Sequence, residues 1–258
     1  MHNLKERIKN GEAVHGCWIN LASHVSAEIV GNAGFDWVLV DLEHGAGDTS
    51  IMYNQLQVLM SSASAPIVRT DDITRPQVQH IMDAGALGIM FPQITSASHA
   101  RESVAMMYYP PRGVRGMAKM VRATGFGKRS VDYMQHLEQR ALGVIQIESL
   151  EALKDIDSIA AEPGVDVLFV GPSDLTVAMG IFGQLDHPRY QEAIRVVADA
   201  ARKHGKCSGV LLLDPKEYEM YHTLGYRFLA CGADGAFVAK AADEMVLTLH
   251  SARKKLAQ

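Results

Sequence analysis

The chain has 258 residues, 48% hydrophobic and 21% charged, which excludes a disordered, collagen-like or low-complexity protein. Its 25 lysines and arginines against 29 acids give a net charge of −4, so nothing global recruits nucleic acid or an anionic membrane. Cys17, Cys207 and Cys231 form no C-x-x-C pair, and an odd number argues against a disulfide framework. A reducing, cytoplasmic compartment is the expectation. The amino-terminal stretch is charged and lacks the apolar segment of a signal peptide. The one long uncharged run, Thr49 to Val68, carries Asn54, Gln55, Gln57 and Pro66 and is no membrane span.

Short β-branched apolar runs recur along the chain, each followed by a turn and a segment of helical period. Strands are expected at Val14–Ile19, Trp37–Asp41, Ile67–Thr70, Leu87–Pro92, Val144–Glu148, Val165–Val170, Gly209–Leu213 and Arg227–Ala230. Helices are expected at Ser26–Ala33, Ile51–Ser62, Arg75–Ala84, Leu150–Ala161, Pro188–His204, Pro215–Leu224 and Ala241–Leu256. Eight strands alternating with helices predict an α/β chain, a single (β/α)8 TIM barrel over residues 1–258. The competing doubly wound sheet wants a glycine-rich phosphate turn after its first strand. Asn20-Leu21-Ala22-Ser23 stands there instead, and no G-x-G-x-x-G or P-loop pattern occurs. The stretch Tyr109–Val131 is too long for an ordinary connection and reads as a lid or binding loop.

A barrel places chemistry at the carboxyl ends of its strands. Strand two ends in Asp41-Leu42-Glu43-His44 and strand three in Arg69-Thr70-Asp71-Asp72. Strand five carries Gln146 and Glu148, two apart and so on one side, and strand six runs into Gly171-Pro172-Ser173-Asp174. Glu148 and Asp174 could share a hard divalent cation, the rest of its shell being water and substrate, or could be helix caps and ion-pair partners. His44, beside acids, has the character of a general base near pH 7. Arg69 must pair either with a structural carboxylate such as Asp41 or with a substrate oxyanion. Arg112, Arg115, Lys119, Arg122, Lys128 and Arg129 stand in a segment without acids, which fits a solvated or intersubunit face better than an electrostatic collar. Nucleic-acid binding lacks the aromatic interleaving it would need. No lysine ends strands two to six, so a Schiff-base nucleophile is missing there, Lys240 lying beyond strand eight.

The stretches AGFDWVLVDLEHG (33–45), PIVRT (66–70), MDAGALGIMFPQI (82–94), YYPPRGVRG (108–116), GVIQIES (143–149) and DVLFVGPSDLTVAMG (166–180) run through most of the chain. Together they resemble the class II, metal-dependent 2-oxo acid aldolases of the HpcH/HpaI family. The resemblance implies cleavage of a 4-hydroxy-2-oxo acid, such as 4-hydroxy-2-oxoheptane-1,7-dioate or 2-dehydro-3-deoxyglucarate, to pyruvate and an aldehyde. It implies Glu148 and Asp174 as ligands of Mg2+, Mn2+ or Co2+, and His44 as a base acting with metal-bound water. Arg69 would hold the 2-oxo oxygen, and Gln146, with the backbone at Ser173 and Asp174, the pyruvyl part. The same resemblance implies Asp83 as the acid supporting His44, although the predicted elements place Asp83 at the opposite end of the barrel. A homohexamer whose C-terminal helix packs on or swaps with a neighbour is also implied. The aldehyde side is expected from the loops after strands one and seven, near Trp18 and Leu212. Rival readings are another enolate-forming lyase on this scaffold, an oxaloacetate decarboxylase or acyl-CoA lyase, or a non-catalytic anion-binding module.

Overall fold

A computed structural model describes residues 3–256. The elements in order are α1 (Leu4–Lys9), β1 (Val14–Ile19), α2 (His24–Gly31), β2 (Trp37–Asp41), α3 (Thr49–Leu59), β3 (Ala65–Arg69), α4 (Arg75–Asp83), β4 (Gly88–Phe91), α5 (Ala97–Ala105) and α6 (Ser130–Arg140). They continue with β5 (Leu142–Ile147), α7 (Leu150–Lys154), α8 (Ile156–Ala161), β6 (Val167–Val170), α9 (Pro172–Ala178), α10 (Pro188–Lys203), β7 (Cys207–Leu212), α11 (Tyr218–Leu224), β8 (Phe228–Ala233) and α12 (Asp234–Leu256). The eight strands pair in chain order, all parallel, and β8 closes on β1. This is a (β/α)8 barrel with α1 added before the first strand.

Strands covered by helices outside and by one another inside read as continuous apolar runs, which is why all eight stand out in the sequence. Inside the barrel, Trp37 stacks on Phe228 with ring centroids 4.1 Å apart, and Phe169 meets both edge-on. Gly16 on β1 makes room for that layer: a Cβ there would lie 2.1 Å from the Trp37 ring. A second apolar layer lies between the strands and the surrounding helices.

Two helical expectations shift. The expected helix Leu150–Ala161 is broken between α7 and α8 at Asp155, whose carboxylate accepts from the Ala97 N–H at 2.7 Å and ties down the start of α5. The expected C-terminal helix begins at Asp234 instead of Ala241, despite Gly235. Asp234 is buried and accepts from the backbone N–H groups of Asn20 and Leu21, so the helix start is fixed to the loop after β1. α5 and α6 are absent from the expected helices: they carry few apolar residues and give a weak periodic signal.

In the loop between α5 and α6 the basic residues divide: Arg112, Lys119, Lys128 and Arg129 are exposed, as expected for most of them, while Arg115 and Arg122 depart from a solvated face. Arg115 is fully buried, paired with Asp83 and donating to the Tyr133 hydroxyl. Arg122 donates to the carbonyls of Ala84 and Leu56, and Arg112 pairs with Glu138. These cations pin the loop to the barrel. From Ala236 to Leu256, α12 has no buried residue among those described. Among the described residues, no helix is long and apolar enough to cross a membrane.

Candidate active site

Asp41 and Arg69 are direct register partners at the carboxyl ends of β2 and β3. The pairing places the two side chains together, and the guanidinium makes a fork. Its Nε donates to Asp41 Oδ1 at 2.9 Å and its Nη2 to Asp41 Oδ2 at 2.7 Å. The third edge, Nη1, lies 2.8 Å from Glu43 Oε2. Arg69 and Asp41 are both buried. Asp41 also accepts from the backbone N–H groups of Glu43 and His44, so one carboxylate orients both the arginine and the turn that carries the histidine. That turn is tight: a Cβ on Gly45 would sit 2.0 Å from the Asp41 carbonyl oxygen.

His44 projects from the turn with its side chain 70% exposed and Nε2 4.0 Å from Glu43 Oε2. Asp83 ends α4, on the side of the barrel where the strands begin, and is held by Arg115. Within one chain the acid facing His44 is Glu43, and the structure does not bring Asp83 to the histidine.

Glu148, just beyond β5, is buried. Its Oε1 accepts from the Gln93 backbone N–H at 2.6 Å and its Oε2 from Gln146 Nε2 at 2.7 Å. Burial pushes the Glu148 carboxyl up to about 7; the Gln93 N–H opposes the shift, while Asp174 and Glu43 add like charge. Asp174 stands exposed in the first turn of α9 without a capping bond, and Ser173 beside it is also exposed. Gly171 brings the backbone against this group, since a Cβ there would come within 2.9 Å of Glu148 Oε2. Trp18 lines the inner side, its ring centroid 5.9 Å from Arg69 Cζ.

Two residues of this site carry roles that the sequence reading did not assign. Gln93 follows β4 at φ 54°, a conformation that costs a non-glycine residue about 1–2 kcal/mol and is retained where surroundings enforce it. Its N–H serves Glu148 while its side-chain amide donates to Glu43 Oε1 at 3.0 Å, joining the two carboxylates. Glu43 itself, only 12% exposed, bridges Arg69, Gln93 and the approach to His44. Glu43 lies between two residues already singled out. Gln93 belongs to an apparently apolar turn, and only its left-handed backbone marks it.

The mouth therefore gathers Asp41, Glu43 and Glu148 around the Arg69 guanidinium, with Asp174 adding like charge beside Glu148. Among the described residues no group of three or more His, Cys, Asp or Glu converges as a closed metal cage. The donor set fits an open site for a hard cation instead: Glu148 and Asp174 are oxygen donors sharing like charge, and the buried Gln146 Oε1 has no hydrogen-bond partner.

Residues 15–241 match the family model for HpcH/HpaI aldolase/citrate lyase. The chain is 36% identical over 254 residues to a hydroxypyruvate/pyruvate aldolase from Paraburkholderia phytofirmans, covering 96% of this chain and 97% of that one. It is 38% identical over 219 residues to a 5-keto-4-deoxy-D-glucarate aldolase from Shigella boydii, covering 85% of each. Among solved structures, an HpcH/HpaI aldolase/citrate lyase family protein from Burkholderia cenocepacia is 33% identical and superposes with a TM-score of 0.91 over 97% of this chain and 100% of that one. The matched region takes in the barrel strands, apart from the first residue of β1, and all the mouth residues described above, and the chain belongs to the HpcH/HpaI aldolase/citrate lyase family.

Proposed function

We propose that the protein is a divalent-metal-dependent aldolase, a carbon–carbon lyase that cleaves a 4-hydroxy-2-oxo acid reversibly to pyruvate and an aldehyde. The observation that carries this reading is the crowding of carboxyl groups at the carboxyl-terminal mouth, where Arg69 pairs with Asp41 and Glu43 while Glu148 and Asp174 share like charge without a cation of their own among the described residues. Glu148 and Asp174 would hold Mg2+, Mn2+ or Co2+. Bound there, the cation supplies Lewis acidity toward the 2-oxo acid.

The chain's own groups divide the remaining work. His44 takes the proton of the substrate's 4-hydroxyl, the C3–C4 bond breaks, and its electron pair passes into the C2 carbonyl to give the pyruvate enolate. Arg69 is placed to add positive charge where that oxyanion grows. Gln146 donates to Glu148 and steadies it, and the backbone at Ser173 and Asp174, in the first turn of α9, would receive the pyruvyl carboxylate. Glu43 and Gln93 orient the arginine and the metal carboxylate relative to each other. A proton returned to C3 completes pyruvate.

The relatives are named for different substrates at 36% and 38% identity. We therefore assign the 2-oxo acid end to the mouth residues and leave the aldehyde end to the surrounding loops. Incubating the protein with Mn2+, pyruvate and a panel of aldehydes, read by product mass, tests the reading directly. Adducts of pyruvate are expected with the native chain, and at least about a hundredfold fewer with His44→Ala. Turnover of oxaloacetate or malyl thioesters without any aldol adduct would place the chemistry elsewhere among enolate enzymes.

A homo-oligomer belongs to the same proposal. Val238, Met245, Val246, Leu247 and Leu249 on α12 are all 49–65% exposed, on a helix that is exposed throughout from Ala236 to Leu256. Helices of this kind gain most of their stability from packing, and α2 nearby exposes Val25 and Ile29 as well. A second copy covering this apolar face, in a hexamer by family resemblance, satisfies both. Light scattering is expected to show an oligomer for the native chain and a smaller species for Met245→Glu with Leu249→Glu. A monomeric native protein would sink the idea.

A further inference from the structure

The opposite end of the barrel holds a cavity of about 660 Å³ that the proposed reaction does not use. It lies between α1 and the starts of β6, β7 and β8, and its volume is within the range of small-molecule sites. Six cations line it: Lys5, Lys9, Arg112, Arg202, Lys206 and Arg227. The lining acids are Asp166, paired with Lys5 at 2.9 Å, and Glu138, paired with Arg112. Arg202 pairs with Asp199. Lys9, Lys206 and Arg227 make no ion pair among the described residues. An excess of three positive charges thus faces one cavity of a chain whose net charge is −4.

Donor capacity is left over as well. Lys206 Nζ donates to the carbonyls of Glu162 and Val165, which uses two of its three N–H groups. Arg227 bonds only through Nη1, to the carbonyls of His222 and Tyr226, so Nε and Nη2 are unengaged among the described residues. The side chains are anchored in place while part of each head remains available. Anchoring of this kind lowers the ordering cost of binding.

We propose that this amino-terminal mouth is a binding site for a small phosphate-type anion carrying two negative charges, held by Lys9, Lys206 and Arg227. Multivalent oxyanions match clustered ammonium and guanidinium donors in both charge and geometry. The electrostatics point the same way. Burial lowers the pKa of the Lys5 and Lys206 ammoniums, Asp166 opposes this, and neighbouring Lys9 and Arg112 add to the lowering. An anion in the cavity relieves that mutual repulsion. The site stands independently of the catalytic reading, since it shares no residue with the carboxyl-terminal mouth.

The probe is inorganic phosphate, titrated calorimetrically into the metal-loaded protein with sodium chloride holding ionic strength constant. Saturable binding in roughly the millimolar range is expected. Lys9→Glu, on an exposed side chain, is expected to weaken it about five- to tenfold, and Arg227→Met to do the same, with pyruvate KM unchanged in both. Arg227 also supports two carbonyls, so Lys9→Glu keeps the test valid if Arg227→Met folds poorly. Absence of saturation, or binding that Lys9→Glu leaves untouched because phosphate sits at the carboxyl-terminal mouth, overturns the proposal.

Discussion

Replacing Arg69 by methionine is expected to damage the protein twice, and the two losses can be measured apart. The first is stability. Among the described residues Arg69 is the one lysine or arginine that pairs with the buried Asp41 and the nearly buried Glu43, and it uses three N–H groups to do so. Removing one partner of a buried ion pair costs about 3–5 kcal/mol, which in a chain of this size lowers Tm on the order of 10 °C. The second is turnover. A donor aimed at a developing oxyanion contributes about 10²–10³ in rate, and cleavage of the 4-hydroxy-2-oxo acid should fall by that factor. Adding Asp41→Asn to Arg69→Met removes one uncompensated charge while keeping an oxygen for the Glu43 and His44 N–H groups. The double variant should regain much of the lost Tm and none of the lost rate. Arg69→Lys separates charge from shape, because an ammonium cannot reproduce the fork on Asp41 and still reach Glu43. Turnover within a few-fold of native for Arg69→Met would remove the arginine from the reaction.

The part of this site legible in the sequence is the part written on strands. Asp41 and Arg69 interrupt apolar runs at the same end, and register then makes them partners. Gln146 and Glu148 fall two apart on β5 and meet as a hydrogen-bonded pair. What the sequence leaves open is geometry made by loops. Gln93 reaches both Glu43 and Glu148 only because its backbone enters the left-handed region. No periodicity signals that. The same holds for Arg115, which looks like one of six basic residues on a surface loop and is instead a buried counter-ion for Asp83. Asp83 has a partner at its own end of the barrel, and the acid that accompanies His44 within the chain is its neighbour Glu43. Helix limits follow a similar logic. The start of α12 is set by the Asp234 carboxylate capping the loop after β1, a long-range contact invisible to local propensity.

Removing divalent metal should have an effect at least as large as removing Arg69, and the donor set explains why. Glu148 is buried, its oxygens already engaged by one N–H each, and its carboxyl is held near 7 by burial with Asp174 and Glu43 close by. Like charges gathered in a low-dielectric mouth repel one another, and the single guanidinium is spent on Asp41 and Glu43. A divalent cation held by Glu148 and Asp174, as proposed, would offset this repulsion. Chelation should therefore cut pyruvate formation by about a thousandfold or more, restored by Mg2+, Mn2+ or Co2+, because several kcal/mol of Lewis-acid stabilisation is withdrawn. Activity alone would not show where the metal sits, so binding is read separately. Paramagnetic resonance of Mn2+ titrated into metal-free protein should reveal one tight site per chain. Glu148→Gln and Asp174→Asn should each weaken that site by about a hundredfold or more, whereas Glu43→Gln, which leaves both proposed donors in place and keeps an oxygen for the Gln93 amide, should weaken it by about tenfold or less. Tight Mn2+ binding that survives loss of both Glu148 and Asp174 would mean that the cation, and the chemistry attached to it, belongs somewhere else in the molecule.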